Sequence, residues 1–190
     1  GLAPGFIQNK DIDEEFLFPN ATHGKDTYVS CEDAISDLPP RNDDLGSESD
    51  EYSGNPKSDY QINMRNGSNI LANHVATRLT ELVKNVISQV PEGGNHKDLP
   101  PGVGDSRKFN EAWTRYHGKK PSRTIDTGHR NHFHYKFNRV PTMRENARLQ
   151  SFPDNFFFTG NKTSQNRQIR NAVPPLLAKC IAEHVLNVVR

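Results

Sequence analysis

The sequence predicts an α+β fold made of one long helix, short antiparallel strands and a closing C-terminal helix. Three observations carry that expectation. Apolar residues recur at helical spacing at Leu71, Val75, Leu79, Leu82, Val83, Val86, Ile87 and Val90, and Pro91, Gly93 and Gly94 stop the pattern. Residues 123–127 and 133–139 alternate as half-buried strands do, with a turn at 128–131 between them. Val173, Leu176, Leu177, Cys180, Ile181, Val185 and Val188 then form one apolar stripe on a final helix.

Taken in order, residues 1–24 read as an extended tail with an apolar patch at Phe16, Leu17 and Phe18 that Pro19 closes. Residues 28–31 have strand-like composition, and 32–38 form a single helical turn stopped by Pro39 and Pro40. Residues 41–60 are rich in Asp, Glu, Ser, Gly and Pro, so they have too little apolar surface to offset ordering entropy and read as an acidic mobile loop. In the long helix, His74 next to Asn73 reads as a capping neighbour rather than a ligand. The string PEGGNHKDLPPGV (91–103) is turn-rich loop; Gly102 and Gly104 follow a Pro-Pro pair instead of a strand, which argues against a phosphate cradle. Thr142 and Glu145 are spaced as a capping box, the hydroxyl accepting a free backbone N–H and the carboxylate reaching back to the cap. Ser151 to Pro153 turn the chain into a short strand at 156–158, and 171–175 open the last helix with proline in its first turn.

Only 33% of the 190 residues are hydrophobic and mean hydropathy is −0.83, lean values for a domain that stands alone, which points to a surface shared with a partner. Charge is divided. Up to residue 60 there are 4 Lys+Arg against 14 Asp+Glu, net −10; beyond it there are 20 against 9, net +11. Residues 107–148 hold 11 basic and 3 acidic residues, net +8, with four histidines among them, the footprint of a surface that neutralises phosphates. A basic face that meets an acidic protein is the competing reading. Two cysteines point to a reducing, intracellular setting, and no apolar run approaches the roughly 20 residues of a membrane span.

Neither cysteine sits where a nucleophile would be presented: Cys31 follows Ser30, and Cys180 lies on the apolar stripe. His117, His129, His132 and His134 cluster, but structural zinc sites recruit thiolates and no cysteine is near, so no metal is assigned.

RVPTMRENARLQSFPD (139–154), followed by QIRNAVPPLL (168–177), resembles the ninth and tenth motifs of DNA (cytosine-5)-methyltransferases, in the order that family has them near its C-terminus. FLFPNATHGKDTYVSCEDAISDLPP (16–40) resembles the segment after the eighth motif; PEGGNHKDLPPGV and PSRTIDT (121–127) are similar to stretches of the family's recognition region. The chain has no Pro-Cys, no Phe-x-Gly-x-Gly and no Glu-Asn-Val.

The resemblance implies an irregular target-recognition domain plus a C-terminal helix that completes a Rossmann-like α/β core. It divides the chain into a connector (1–40), the acidic loop (41–60), the recognition region (61–138) and C-terminal motifs (139–190). It implies double-stranded DNA as partner, read by Arg115, Lys119, Lys120, Ser122, Arg123, Thr124, Arg130, Asn131 and Lys136. Arg139, Thr142, Glu145, Arg148 and Gln150 are scaffold by the same resemblance. Asn171, Ala172 and Val173 border the S-adenosylmethionine pocket, while catalytic residues lie in a partner half or subunit, with none in this chain. The implied location is bacterial cytoplasm or nucleoid, or a eukaryotic nucleus. One position departs: the family has glycine before the asparagine, and here it is Arg170, which would be strained if positive φ were required and would obstruct the cofactor if close backbone approach were. A stand-alone DNA-binding specificity module without activity is the alternative.

Overall fold

Ser30 starts the first helix in this computed structural model, which describes residues 19–103, 113–125 and 131–189. Its hydroxyl accepts from the Asp33 N–H and its own N–H donates to the Asp33 carboxylate, so residues 28–31 hold a helix cap where strand was expected. The elements are α1 (Cys31–Ile35), β1 (Ser49–Asp50), α2 (Asp59–Arg65), β2 (Leu71–Ala72), α3 (Glu81–Gln89), a 3₁₀ turn (His96–Asp98), β3 (Thr114–Arg115), β4 (His132–Phe133), α4 (Met143–Leu149), α5 (Lys162–Asn171) and α6 (Pro175–Val189). β1 pairs antiparallel with β2, and β3 pairs parallel with β4.

The helix expected over 71–90 is present only at its end. Four carbonyls ahead of α3 are taken by tertiary donors. Ala72 O accepts from Arg144 Nε, Asn73 O from the Arg144 N–H, His74 O from Arg41 Nε and Ala76 O from Lys162 Nζ, so none is left for an i→i+4 ladder. Asn73 is also left-handed, at φ 61°. Of the expected core face, Leu71, Ile87 and Val90 are buried, whereas Leu82 is 75% exposed.

The hairpin of 123–127 with 133–139 does not form among the described residues. Thr114 N–H donates to Asn131 O and Tyr116 N–H to Phe133 O, which gives β4 the 114–116 segment as its neighbour, in parallel register; residues 128–130 of the expected turn lie outside the described residues, as does the expected apolar patch at 16–18. No strand forms at 156–158 either. The Asn73 side chain takes both backbone groups of Phe158, donating to its O and accepting from its N–H, while the rings of Phe152, Phe156 and Phe158 meet tilted or edge-on with centroids 5.0–5.1 Å apart. α5 was not legible in the sequence: Asn161 caps it, its composition is polar, and Asn171 closes it instead of opening the next helix.

The acidic segment is mostly loop, and a tethered one. Arg41, buried, pairs with Asp44 at 3.0 Å and with Asp50, and the Tyr52 hydroxyl donates to Asp154 at 2.5 Å. Gly46 is required here, because at φ 81° a Cβ would lie 2.6 Å from the Arg41 guanidinium.

α4 is the hub of the core, packing against α1 and α5. Three apolar clusters meet around it: Ile125, Met143, Ala147, Phe152, Phe158 and Ile169; Ala34, Ile35, Leu38 and Leu71; and Ile87, Val90, Phe133 and Val140. Among the described residues no helix is long and apolar enough to cross a membrane.

Candidate nucleic-acid interface

Burial sorts the described basic residues of 113–148 into two groups. Arg115 belongs inside. Its guanidinium donates to Val90 O at 2.7 Å, Ile87 O at 2.5 Å, His134 O at 3.1 Å, Phe137 O at 3.3 Å and Asn138 Oδ1 at 2.9 Å. Five acceptors use every N–H the group has, so Arg115 splices α3 to β4 and is withdrawn from the DNA-contacting set. Lys119, Lys120, Arg123, Thr124 and Lys136 are exposed, and Ser122 and Asn131 are half-buried. Lys119 pairs with Glu32, and Asn131 offers its carbonyl to Thr114. Arg130 lies outside the described residues.

The motif helix α4 supplies the other group. Thr142 and Glu145 form the capping box, and Arg139 grips Glu145 with two bonds of 2.7 and 2.8 Å while donating to Pro40 O. Burial disfavours the Glu145 charge; the Arg139 guanidinium outweighs it and holds the carboxyl well below the usual carboxylate range. Arg144 donates to the carbonyls of Ala72, Pro153 and Phe156. Arg148, with no solvent exposure, bonds Asp154 at 2.6 and 2.9 Å, Asp37 at 2.7 Å and Ala34 O at 3.1 Å. Arg144, Asp37 and Asp154 had no distinguishing signal in the sequence; their roles come from contacts across up to 111 positions.

His74 is a buried joint and not a capping neighbour. Nε2 faces Pro39 O at 2.8 Å, which only a donor satisfies, so Nδ1 accepts from the Thr142 hydroxyl and the ring is neutral. Burial lowers its pKa to about 4, and that of His134 to about 3. His134 Nδ1 accepts from the Lys136 and Phe137 N–H groups, and His132 stacks on Tyr116. Cys31 is fully buried, which pushes its thiol up to about 12, away from nucleophilic reactivity at neutral pH.

At the C-terminal edge, Gln150 Nε2 donates to Ala172 O at 3.0 Å, and Ser151 Oγ accepts from the Leu176 N–H. These bonds fix the chain between α5 and α6, where Asn171 and Val173 are exposed and Ala172 is half-buried. Arg170 sits in the last turn of α5, exposed and without positive φ, so arginine is unstrained there and its charge complements the helix C-terminus.

An exposed basic surface thus lies on a scaffold threaded by the arginines of α4, next to an exposed apolar C-terminal edge. Residues 6–187 match the profile of the C-5 cytosine-specific DNA methylases, and the chain belongs to that family. It is 34% identical over 200 residues to the type II methyltransferase M.DdeI of Desulfomicrobium norvegicum, covering 95% of this chain and 48% of that enzyme. It is 38% identical over 186 residues to the type II methyltransferase M1.HphI of Haemophilus parahaemolyticus, covering 96% and 42%. A solved Escherichia coli structure described as a DNA modification methyltransferase encoded within a prophage shares the fold, with TM-score 0.70 and 22% identity over 94% of this chain and 51% of that one. The chain thus spans about half the length of the relatives it matches.

Proposed function

We propose that the chain is the target-recognition and C-terminal portion of a DNA (cytosine-5)-methyltransferase of the restriction-modification kind. It grips double-stranded DNA while a catalytic portion outside these residues supplies the thiol and the main cofactor loop. The observation that carries this reading is the C-terminal helix: Leu176, Leu177, Ile181, Val185 and Leu186 of α6 are each 40–51% exposed, a stripe that asks for an apolar partner. A buried Cys31 with a raised pKa supports the division, since methylation at C5 needs a reactive thiolate.

In this arrangement Lys119, Lys120, Arg123, Arg130 and Lys136 neutralise phosphates, and Ser122, Thr124 and Asn131 reach toward base edges. The target cytosine leaves the stack for a pocket formed mainly by the catalytic portion, because its C5 is inaccessible within the duplex. Asn171, Ala172 and Val173 fit a cofactor border, with Asn171 and Val173 exposed next to the apolar stripe and the half-buried Ala172 held through its carbonyl by Gln150. S-adenosylmethionine would supply the methyl group there. The absence of backbone strain at Arg170 supports this reading over an inactive specificity module.

The test mixes this chain with a separately produced catalytic portion and follows labelled methyl transfer to duplex DNA. The chain alone should bind DNA and transfer nothing, and the mixture should turn over. Transfer by the chain alone would refute the division of labour.

A further inference from the structure

A cleft of about 520 Å³ opens between the 41–45 loop, residues 77–84 and residues 136–139. Its cations differ in what they have left to offer. Arg41 and Arg139, buried, are committed to Asp44, Asp50 and Glu145, and Lys84 is tied to Glu81 at 2.9 Å. Arg78 and Lys136 are exposed, and among the described residues neither has a carboxylate within ion-pair distance. Lys136 is set in place by its backbone N–H on His134 Nδ1 and by its ammonium 5.7 Å from the Phe137 ring. Asp43, also exposed and without an ion pair among the described residues, is the acid in the lining.

We infer that this cleft docks the sugar-phosphate backbone of duplex DNA, with Arg78 and Lys136 as phosphate contacts and Asp43 as an opposing charge that limits affinity. The inference rests on the DNA-binding reading above and extends it to residues outside the basic 107–148 window. An anion entering the cleft meets neutralised guanidiniums at the buried positions and open cations only at the exposed ones. That distribution suits a polyanion passing along the surface better than a small anion enclosed within it. Asn42, Thr77 and Asn138 add neutral hydrogen-bonding groups of the kind that orient phosphodiester oxygens.

The experiment measures duplex binding of the full chain by fluorescence anisotropy across a salt series, for wild type, Arg78→Gln with Lys136→Gln, and Asp43→Asn. Each lost phosphate contact should flatten the slope of log K against log salt by about 0.9, so the double variant should lose about 1.8, equally on all sequences. Asp43→Asn should bind about 1.5- to 5-fold more tightly at low salt, the range of one surface charge contact, and the gain should vanish at high salt. Tighter binding is an effect that misfolding does not produce. A wild-type slope in the double variant together with unchanged affinity for Asp43→Asn would overturn the cleft assignment and leave DNA binding intact. A wild-type chain that binds no duplex at any salt would overturn both.

Discussion

Replacing Arg148 by methionine should be among the most damaging single changes in the protein, and the structure sets the size of the loss. The side chain has no exposure and neutralises Asp37 and Asp154, both equally buried. Removing one member of a buried charge network costs about 3–5 kcal/mol, chiefly because the partner charge is left without compensation. Here the remaining carboxylates keep some support: Arg65 bonds Asp37 at 2.7 Å, and Arg144 lies 3.6 Å from Asp154 while the Tyr52 hydroxyl donates to it. The loss therefore belongs at the lower end, about 3 kcal/mol. With a urea slope of about 2 kcal/mol/M, the unfolding midpoint should fall by roughly 1.5 M. Trp113, the only tryptophan, packs against Phe133 and reports the transition by fluorescence. Adding Asp154→Asn to Arg148→Met removes one unpaired charge and should recover part of the loss. A midpoint shift below about 0.5 M for Arg148→Met, or a double variant worse than the sum of the singles, would refute the argument that uncompensated charge dominates.

Acid should weaken the fold before its carboxylates titrate. The folded pKa values of His74 and His134, about 4 and about 3, lie below the unfolded value of about 6.5, so their contribution is complete above pH 6.5 and declines as pH falls toward 4 and 3. Unfolding free energies from urea titrations at pH 7 and pH 5 should differ by roughly 2–4 kcal/mol, and equal stabilities would count against neutral buried imidazoles. Glu145, depressed by Arg139, adds a further loss only below the unfolded carboxyl value of about 4.3. Arg115→Gln should lower stability by about 3 kcal/mol, whereas Arg123→Ala should leave unfolding unchanged and reduce the salt slope of DNA binding by about one unit if it meets phosphate, or weaken the cognate site selectively if it reads a base. In the complemented enzyme Gln150→Ala should weaken S-adenosylmethionine binding about 2- to 10-fold, the worth of one hydrogen bond, and calorimetric titration showing no change would sever Gln150 from the cofactor edge.

What could be read from the sequence was what depends on near neighbours. The Thr142–Glu145 capping box is an i,i+3 relation, and the helical turn after Ser30 follows from local caps and a Pro-Pro stop. Periodicity failed at 71–80 because Arg41, Arg144 and Lys162 claim backbone carbonyls there from distant positions, which no window over the segment contains. The parallel pairing of β3 with β4 is similarly non-local, and α5 carries too few apolar residues for a helical stripe to stand out. For the candidate site, the resemblance located the motif helix and its capping box, but it assigned Arg115 to DNA where the structure buries it.

That error shows how charge must be counted in such a protein. A net +8 over residues 107–148 treats all 11 cations as available to phosphate. Arg115, Arg139, Arg144 and Arg148 are buried, and their guanidiniums are occupied by carbonyls and carboxylates of the scaffold. All four are arginine, as a planar group with five donors can satisfy several backbone carbonyls at once where an ammonium offers three. The lysines of the same window that the structure describes, Lys119, Lys120 and Lys136, are exposed. One basic segment thus divides in a way that composition cannot show: arginine replaces missing secondary structure by tying irregular loops together, while Lys119, Lys120, Arg123 and Lys136 stay on the surface. A chain with so little regular strand and helix holds its loops in place through that interior hydrogen bonding, which is the part the motif arginines play.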